Sequence, residues 1–214
     1  MPIVTDSQLK TFVEAAHRIG THQLLLCSSG NLSWQISDEI ILISRTGSWL
    51  PYLSKDQISI SRLTDGIVLN NVSPSMDSGF HFGILRNRKE AKVVLHFQSL
   101  YATTLGCLPD PPTNFNVINE VPMYIWKIAM LPYICPGSPE LGIQVTEVMK
   151  THDLVLLRNH GQVVVGKDFD DVIQKALFFE LACGIIMRSR NQAIRLTEEQ
   201  LCDMEKYMKK FPSL

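Results

Sequence analysis

Lys92-Val93-Val94-Leu95-His96-Phe97-Gln98-Ser99 is the stretch that decides the architecture. Residues 92–96 read as a short buried strand, because an unbroken aliphatic run leaves no face for water and both faces must be covered. The pattern returns at residues 153–157 and 162–165, on either side of the polar tip Arg158-Asn159-His160-Gly161. Two further strands are expected at residues 32–36 and 40–44, joined by Ser37-Asp38-Glu39, and another at residues 57–63. Helices fill the intervals. Leu9, Phe12, Val13, Ala16 and Ile19 form one stripe, with Asp6 or Ser7 as cap and Gly20 as stop. Ser75 is read as the cap of a helix over residues 75–88, and another follows over residues 98–106. Ser138-Pro139-Glu140 starts a helix that turns Leu141, Val145 and Val148 inward. Val172, Ala176, Phe179, Cys183 and Ile186 mark a long helix over residues 170–190. Thr197 and Gln200 make a capping box for a last helix, whose apolar side is Leu201, Met204, Met208 and Phe211. Buried strands alternating with amphipathic helices predict an α/β fold, with one mixed sheet between helical layers.

The chain has 214 residues, without internal repeat or linker, so one domain over residues 1–214 is expected. With 45% apolar and 19% charged residues it is neither disordered nor a coiled coil. Lys plus Arg number 20 and Asp plus Glu 21, a net charge of -1 that argues against nucleic acid as partner. Cys27, Cys107, Cys135, Cys183 and Cys202 are odd in number and form no Cys-x-x-Cys pair, which argues against a disulfide framework and a thiolate zinc site. No signal peptide is visible, and the most apolar late stretch, residues 176–187, is broken by Glu180 and too short to span a bilayer. A cytoplasmic protein with no membrane partner is expected. There is no Gly-x-Gly-x-x-Gly and no Walker loop, which disfavours the usual dinucleotide and NTP sites.

Chemistry concentrates in a few short segments. Ser28-Ser29-Gly30-Asn31, Ser44-Arg45-Thr46-Gly47-Ser48 and Ser73-Pro74-Ser75-Met76-Asp77 each offer hydroxyls or backbone N–H groups at a strand end or helix start. Together they suit an anion; singly, each reads as an ordinary turn or cap, and Arg45 reads equally as a surface charge or a phosphate ligand. His96 and His160 both stand beyond apolar strands, where α/β proteins place ligands. Two imidazoles there can share a divalent cation with carboxylate and amide oxygens, or serve as hydrogen-bonded groups at the rim of the core. Gln98 follows His96 by two, so extended backbone sends both side chains the same way. His17, His22, His81 and His152 read as structural or surface groups, with a supporting role open to His81, one turn after Asp77.

Five blocks in order carry a resemblance: Ser29-Gly30-Asn31-Leu32-Ser33; Ser44-Arg45-Thr46-Gly47; Pro74-Ser75-Met76-Asp77 with Phe80-His81; Val93-Val94-Leu95-His96-Phe97-Gln98-Ser99; and Leu157-Arg158-Asn159-His160-Gly161. The chain resembles the class II aldolase/adducin-head family nearly end to end, and most closely its branch that cleaves L-fuculose 1-phosphate. The resemblance implies a largely antiparallel central sheet between helical layers and a homotetramer with active sites at subunit boundaries. It implies a zinc ion, or another divalent metal, held by His96, His160 and the residue at Gln98. It makes Asp77 the acid that shuttles a proton, and loosely matches Tyr207 to a C-terminal proton donor. Gly30, Asn31, Thr46, Gly47, Ser75 and Met76 fall where the family grips the substrate's phosphate and adjoining oxygens.

Three positions depart from the family pattern. Gln98 replaces a histidine, and its neutral carbonyl oxygen is a harder, weaker ligand than imidazole. Asp77 replaces a glutamate and reaches about 1.5 Å less far. Met76 replaces a phosphate-binding serine and keeps only its backbone N–H. Such a site binds zinc more weakly, prefers another divalent ion, or has lost metal and activity. The activity implied is metal-dependent retro-aldol cleavage of a phosphorylated ketose, L-fuculose 1-phosphate to dihydroxyacetone phosphate and L-lactaldehyde. Ribulose-phosphate 4-epimerisation, thioribulose-phosphate dehydration and a non-catalytic interaction module are the family's other possibilities.

Overall fold

The expected buried strand becomes the middle of a single sheet. In a computed structural model, which describes residues 4–125 and 127–210, seven strands pair in the order β3-β2-β1-β4-β7-β6-β5. They are β1 (Asn31–Gln35), β2 (Ile40–Ser44), β3 (Ile58–Arg62), β4 (Val93–Phe97), β5 (Ile128–Leu131), β6 (Leu154–Leu157) and β7 (Gly161–Gly166). Every pairing is antiparallel except β5 on β6, so the sheet is mixed and largely antiparallel. Because strand side chains alternate between faces, β4 feeds two cores. Val93, Leu95 and Phe97 pack with α1 (Asp6–Thr21), α3 (Leu100–Gly106), α4 (Glu120–Tyr124) and α6 (Phe169–Arg188). Val94 packs on the other face with α2 (Ser78–Asn87) and α5 (Pro139–Val148). The final helix, α7 (Glu198–Lys210), lies against α4. Among the described residues no helix is long and apolar enough to cross a membrane.

Several boundaries move for local reasons. Thr5 caps α1, its hydroxyl accepting from Gln8 N while Gln8 answers with its own side chain, so Asp6 and Ser7 lie inside the helix. α2 starts at Ser78 with Asp77 as its N-cap residue, not at Ser75. Ser75 instead makes the preceding turn: its N–H donates to Ser44 O at 3.0 Å and its hydroxyl accepts from Asp77 N at 3.3 Å. The capping box of Thr197 and Gln200 is present, while Phe211 lies outside the described residues. β5 and α4 have no counterpart in the sequence expectations.

α2 and α5 cross closely, with the Gly79 and Gly142 backbones in contact and the Gly83 backbone against the Thr146 side chain. A Cβ on Gly83 would lie 1.9 Å from Thr146 Oγ1 and 2.9 Å from Thr146 Cβ, so only glycine permits this approach. Since α2 carries Asp77 at its start, the crossing also fixes one edge of the site described below. Gly83→Val should cost about 1–3 kcal/mol by overpacking. Urea unfolding checks this, and an unchanged midpoint would contradict the close approach.

Candidate metal centre

His96 is the penultimate residue of β4 and is paired with Asn31 on β1 and Val163 on β7. The sheet therefore fixes its backbone from both sides. Its ring lies on the α2 side, edge-on to Phe80 at 6.0 Å between centroids. Nδ1 donates to the Gln162 carbonyl at 2.9 Å, which leaves the Nε2 lone pair free to bind a cation. His160, at the tip between β6 and β7, brings its ring centroid within 4.8 Å of that of His96. Its Nδ1 is buried and has no hydrogen-bond partner. Asp77 enters from the start of α2. One ligand atom from each of Asp77, His96 and His160 lies within 4.8 Å of the other two.

Burial pushes the His96 ring down to about 4, helped by His160 and opposed by Asp77 and the bond to Gln162. Burial lowers His160 as well, against the pull of Asp77. Both rings are thus neutral at pH 7 and offer lone pairs. Two neutral imidazoles, a carboxylate and a buried nitrogen without a partner fit a divalent cation better than any arrangement of hydrogen bonds within the chain.

The other expected site residues fall in three places. Gln98 starts just past β4, and its Cγ and His96 Cε1 would meet a Cβ on Gly161 at 2.7 and 3.1 Å, so its stem flanks the same corner. Gly30 sits at φ +111°, with room for a Cβ blocked by Leu25 and by the His96 carbonyl. The turn carrying Thr46 and Gly47, both exposed, is bridged to the Ser75 segment through Arg45 and Pro74. Ser75 is buried and Met76 exposed. Asn31 donates from Nδ2 to Asp77 Oδ2 at 3.1 Å, so its amide serves the carboxylate in this structure. Tyr207 lies elsewhere. It is on α7, in a cleft with Asn119, Met123 and Met204, and α7 packs on α4 in the opposite helical layer from α2.

Several supporting groups escaped the sequence reading. Gly137 N donates to Asp77 Oδ1 at 3.1 Å from the loop before α5. Gln162, whose carbonyl orients His96, also accepts from Ser99 N at 3.2 Å through its side chain. Glu180 on α6 receives Ser99 Oγ, Tyr101 N and Ala102 N at 2.6, 2.8 and 2.9 Å, capping α3 from across the layer. The interruption of an apolar helix by Glu180 was the one visible signal.

Residues 10–187 match the Class II Aldolase and Adducin N-terminal domain. The chain belongs to that family. It is 30% identical over 200 residues to the 3-oxo-tetronate 4-phosphate decarboxylase of Haemophilus influenzae, covering 92% of this chain and 91% of that protein. It is also 30% identical over 172 residues to an L-fuculose phosphate aldolase of Methanococcus maripaludis, covering 80% and 92%. In fold it matches YgbL of Klebsiella pneumoniae with a TM-score of 0.86 at 24% identity, over 94% of this chain and all (100%) of that one. An L-fuculose 1-phosphate aldolase matches at 0.83 and 19% identity, over 97% and 98% of the two chains. The class II aldolase fold expected from the sequence is therefore the fold of this chain. Its relatives at similar identity act on two kinds of phosphorylated substrate.

A pH dependence follows from the buried rings. His96 falls to about 4 and His81, on α2, to about 3, chiefly through burial. Unfolded, both rings take a proton below about pH 6.5. The folded, metal-free chain binds fewer protons in that window, so stability is full above pH 6.5 and is lost as pH falls toward 4. Denaturant unfolding of chelator-stripped protein at pH 7.5 and pH 5 should show a loss of roughly 2 kcal/mol per ring. A flat profile would mean that the rings are not buried as neutral bases.

Proposed function

We propose that this chain is a divalent-cation-dependent lyase that breaks a carbon–carbon bond in a phosphorylated sugar acid or ketose. The convergence of Asp77, His96 and His160 within 4.8 Å carries the reading. A scaffold has no need of a buried and a half-buried neutral imidazole facing a carboxylate, and the unpartnered Nδ1 of His160 would burden one. Zinc or another divalent cation, bound by His96, His160 and Asp77 with Gln98 beside them, would act as a Lewis acid on the substrate carbonyl. We assign the phosphate to the strip formed by Gly30, Thr46, Gly47, Ser75 and the Met76 N–H, with the second amide hydrogen of Asn31 contributing. Thr46 and Gly47 are open to solvent, as an entering anion requires. Anchoring there fixes which carbons reach the histidines.

Decarboxylation of a 3-oxo acid phosphate is the reading we favour, because the decarboxylase relatives include an alignment over 200 residues. In that reaction the bond to the carboxyl carbon breaks, carbon dioxide leaves, and the electron pair moves onto the carbonyl oxygen. The chain then has only to return one proton to carbon. Asp77, a carboxylate clamped through both oxygens, would take a proton from water and pass it to that carbon. Retro-aldol cleavage of L-fuculose 1-phosphate is the second reading, favoured by the archaeal aldolase relatives. It asks more of Asp77 or a neighbour, since a hydroxyl proton must be removed before the bond parts. Tyr207, distant from Asp77 in its own chain, would act as proton donor to the site of a second copy in a cytoplasmic homotetramer.

The test pairs two substrates. Purified protein should release carbon dioxide from 3-oxo-tetronate 4-phosphate and form little dihydroxyacetone phosphate from L-fuculose 1-phosphate. Chelation should abolish turnover, and divalent metal should restore it. His96→Ala should lose metal and turnover together, by at least about a hundredfold in rate. Turnover that survives complete removal of metal would overturn the proposal.

A further inference from the structure

β1 presents Asn31, Ser33 and Gln35 on one face, and all three are buried against the α2 side. A polar stripe inside a sheet must find partners or pay for each unmade bond. One residue answers two of the three. His81, fully buried on α2, has Nδ1 at 2.7 Å from Ser33 Oγ and Nε2 at 2.5 Å from Asn31 Oδ1. The direction of these bonds can be worked out from the far end. A carboxylate only accepts, so Asn31 must turn Nδ2 toward Asp77 and Oδ1 toward His81. Nε2 of His81 is then the donor, Nδ1 of a neutral ring accepts, and the Ser33 hydroxyl donates. The relay runs one way, from Ser33 through His81 and Asn31 to Asp77.

We propose that His81 is the positioning residue of this site: its Nε2–H locks the Asn31 amide so that Asp77 keeps its carboxylate facing His96 and His160. The inference rests on the reading of those three residues as a cation site. A flipped Asn31 amide would set its oxygen against the Asp77 carboxylate and its NH2 against the His81 N–H, so the His81 donor reinforces from the far side the orientation that the carboxylate demands. With Asn31 on Oδ2 and Gly137 N on Oδ1, each at 3.1 Å, the carboxylate cannot turn about its own axis. The ring is itself fixed, stacked on Phe80 at 4.8 Å and 25°. Burial keeps His81 neutral throughout the working pH range, which the acceptor role of Nδ1 requires. His81 touches neither substrate nor cation and acts only through Asn31.

Two measurements decide the matter. The first is crystal structures of metal-free His81→Phe and His81→Gln. Phenylalanine keeps the stacked volume without the donor, whereas glutamine can donate from the Nε2 position. Asp77 should swing from its place in His81→Phe and hold it in His81→Gln. The second is calorimetric titration of chelator-stripped protein with Co2+. His81→Phe should weaken Co2+ binding at least about tenfold, as loss of an outer hydrogen bond to a ligand does. His81→Gln should bind within about threefold of the parent. In an Asp77→Asn background the His81→Phe change should matter by less than about twofold, because the two act as one unit. Should His81→Phe fail to fold, Asn31→Leu cuts the same relay one link closer and should give the same pattern. An undisturbed Asp77 in His81→Phe, or effects that multiply in the double variant, would overturn the inference. If His96→Ala leaves Co2+ binding unchanged, the cation reading fails instead, and the position of Asp77 in the crystals alone decides the role of His81.

Discussion

A buried imidazole and a half-buried one, both turned toward one carboxylate, are the constraint around which this molecule is arranged. Each ring gives up hydration, His96 fully and His160 in part, and protonation of His96 would leave a charge in the core. The chain meets that cost by fixing one nitrogen of His96 on a main-chain carbonyl and leaving the other bare. The support extends outward in layers. Gln162 joins His96 to Ser99, and Glu180 ties Ser99 to α6, so the end of β4 is held by a helix two elements away. Asp77 is held independently from β1 and from the loop before α5. Two polar networks therefore approach the same point from opposite helical layers, with the sheet between them.

Much of this was legible in the sequence, and the reasons are uneven. β4, β6 and β7 announce themselves as apolar runs because they lie in the sheet's interior with both faces covered. α6 shows its period because one whole face packs. β5 was missed because Ile128-Ala129-Met130-Leu131 is an apolar run of only four, cut off by Pro132 at the sheet edge, and so short a run does not tell a strand from a helical turn. The start of α2 was misplaced because Ser75 spends its hydroxyl on a turn, a choice made by the bridge between Arg45 and Pro74.

The site divides the same way. His96 and His160 could be found from their place at the ends of apolar runs, whereas the role of Asp77 emerged only through the family resemblance. The groups that hold them were hidden because they act through contacts that sequence spacing does not encode: a main-chain carbonyl at Gln162, a main-chain N–H at Gly137. One signal was available and unused. Asn31, Ser33 and Gln35 alternate along a strand that tertiary packing buries, and such a stripe predicts a polar partner on the covering helix. His81 is that partner. The relatives add what geometry does not contain, namely that this architecture serves both decarboxylation and aldol cleavage of phosphorylated substrates. The shared demand of the two reactions is a place for the electron pair of a parting carbon–carbon bond, and the specific chemistry lies in what surrounds that place.

Anomalous scattering from crystals grown with Zn2+ would show whether Asp77, His96 and His160 hold a cation. One anomalous peak is expected at the end of β4, about 2.0–2.2 Å from Nε2 of His96, a nitrogen of His160 and an oxygen of Asp77. A peak bound elsewhere, or no peak at this position with saturating Zn2+, would contradict it.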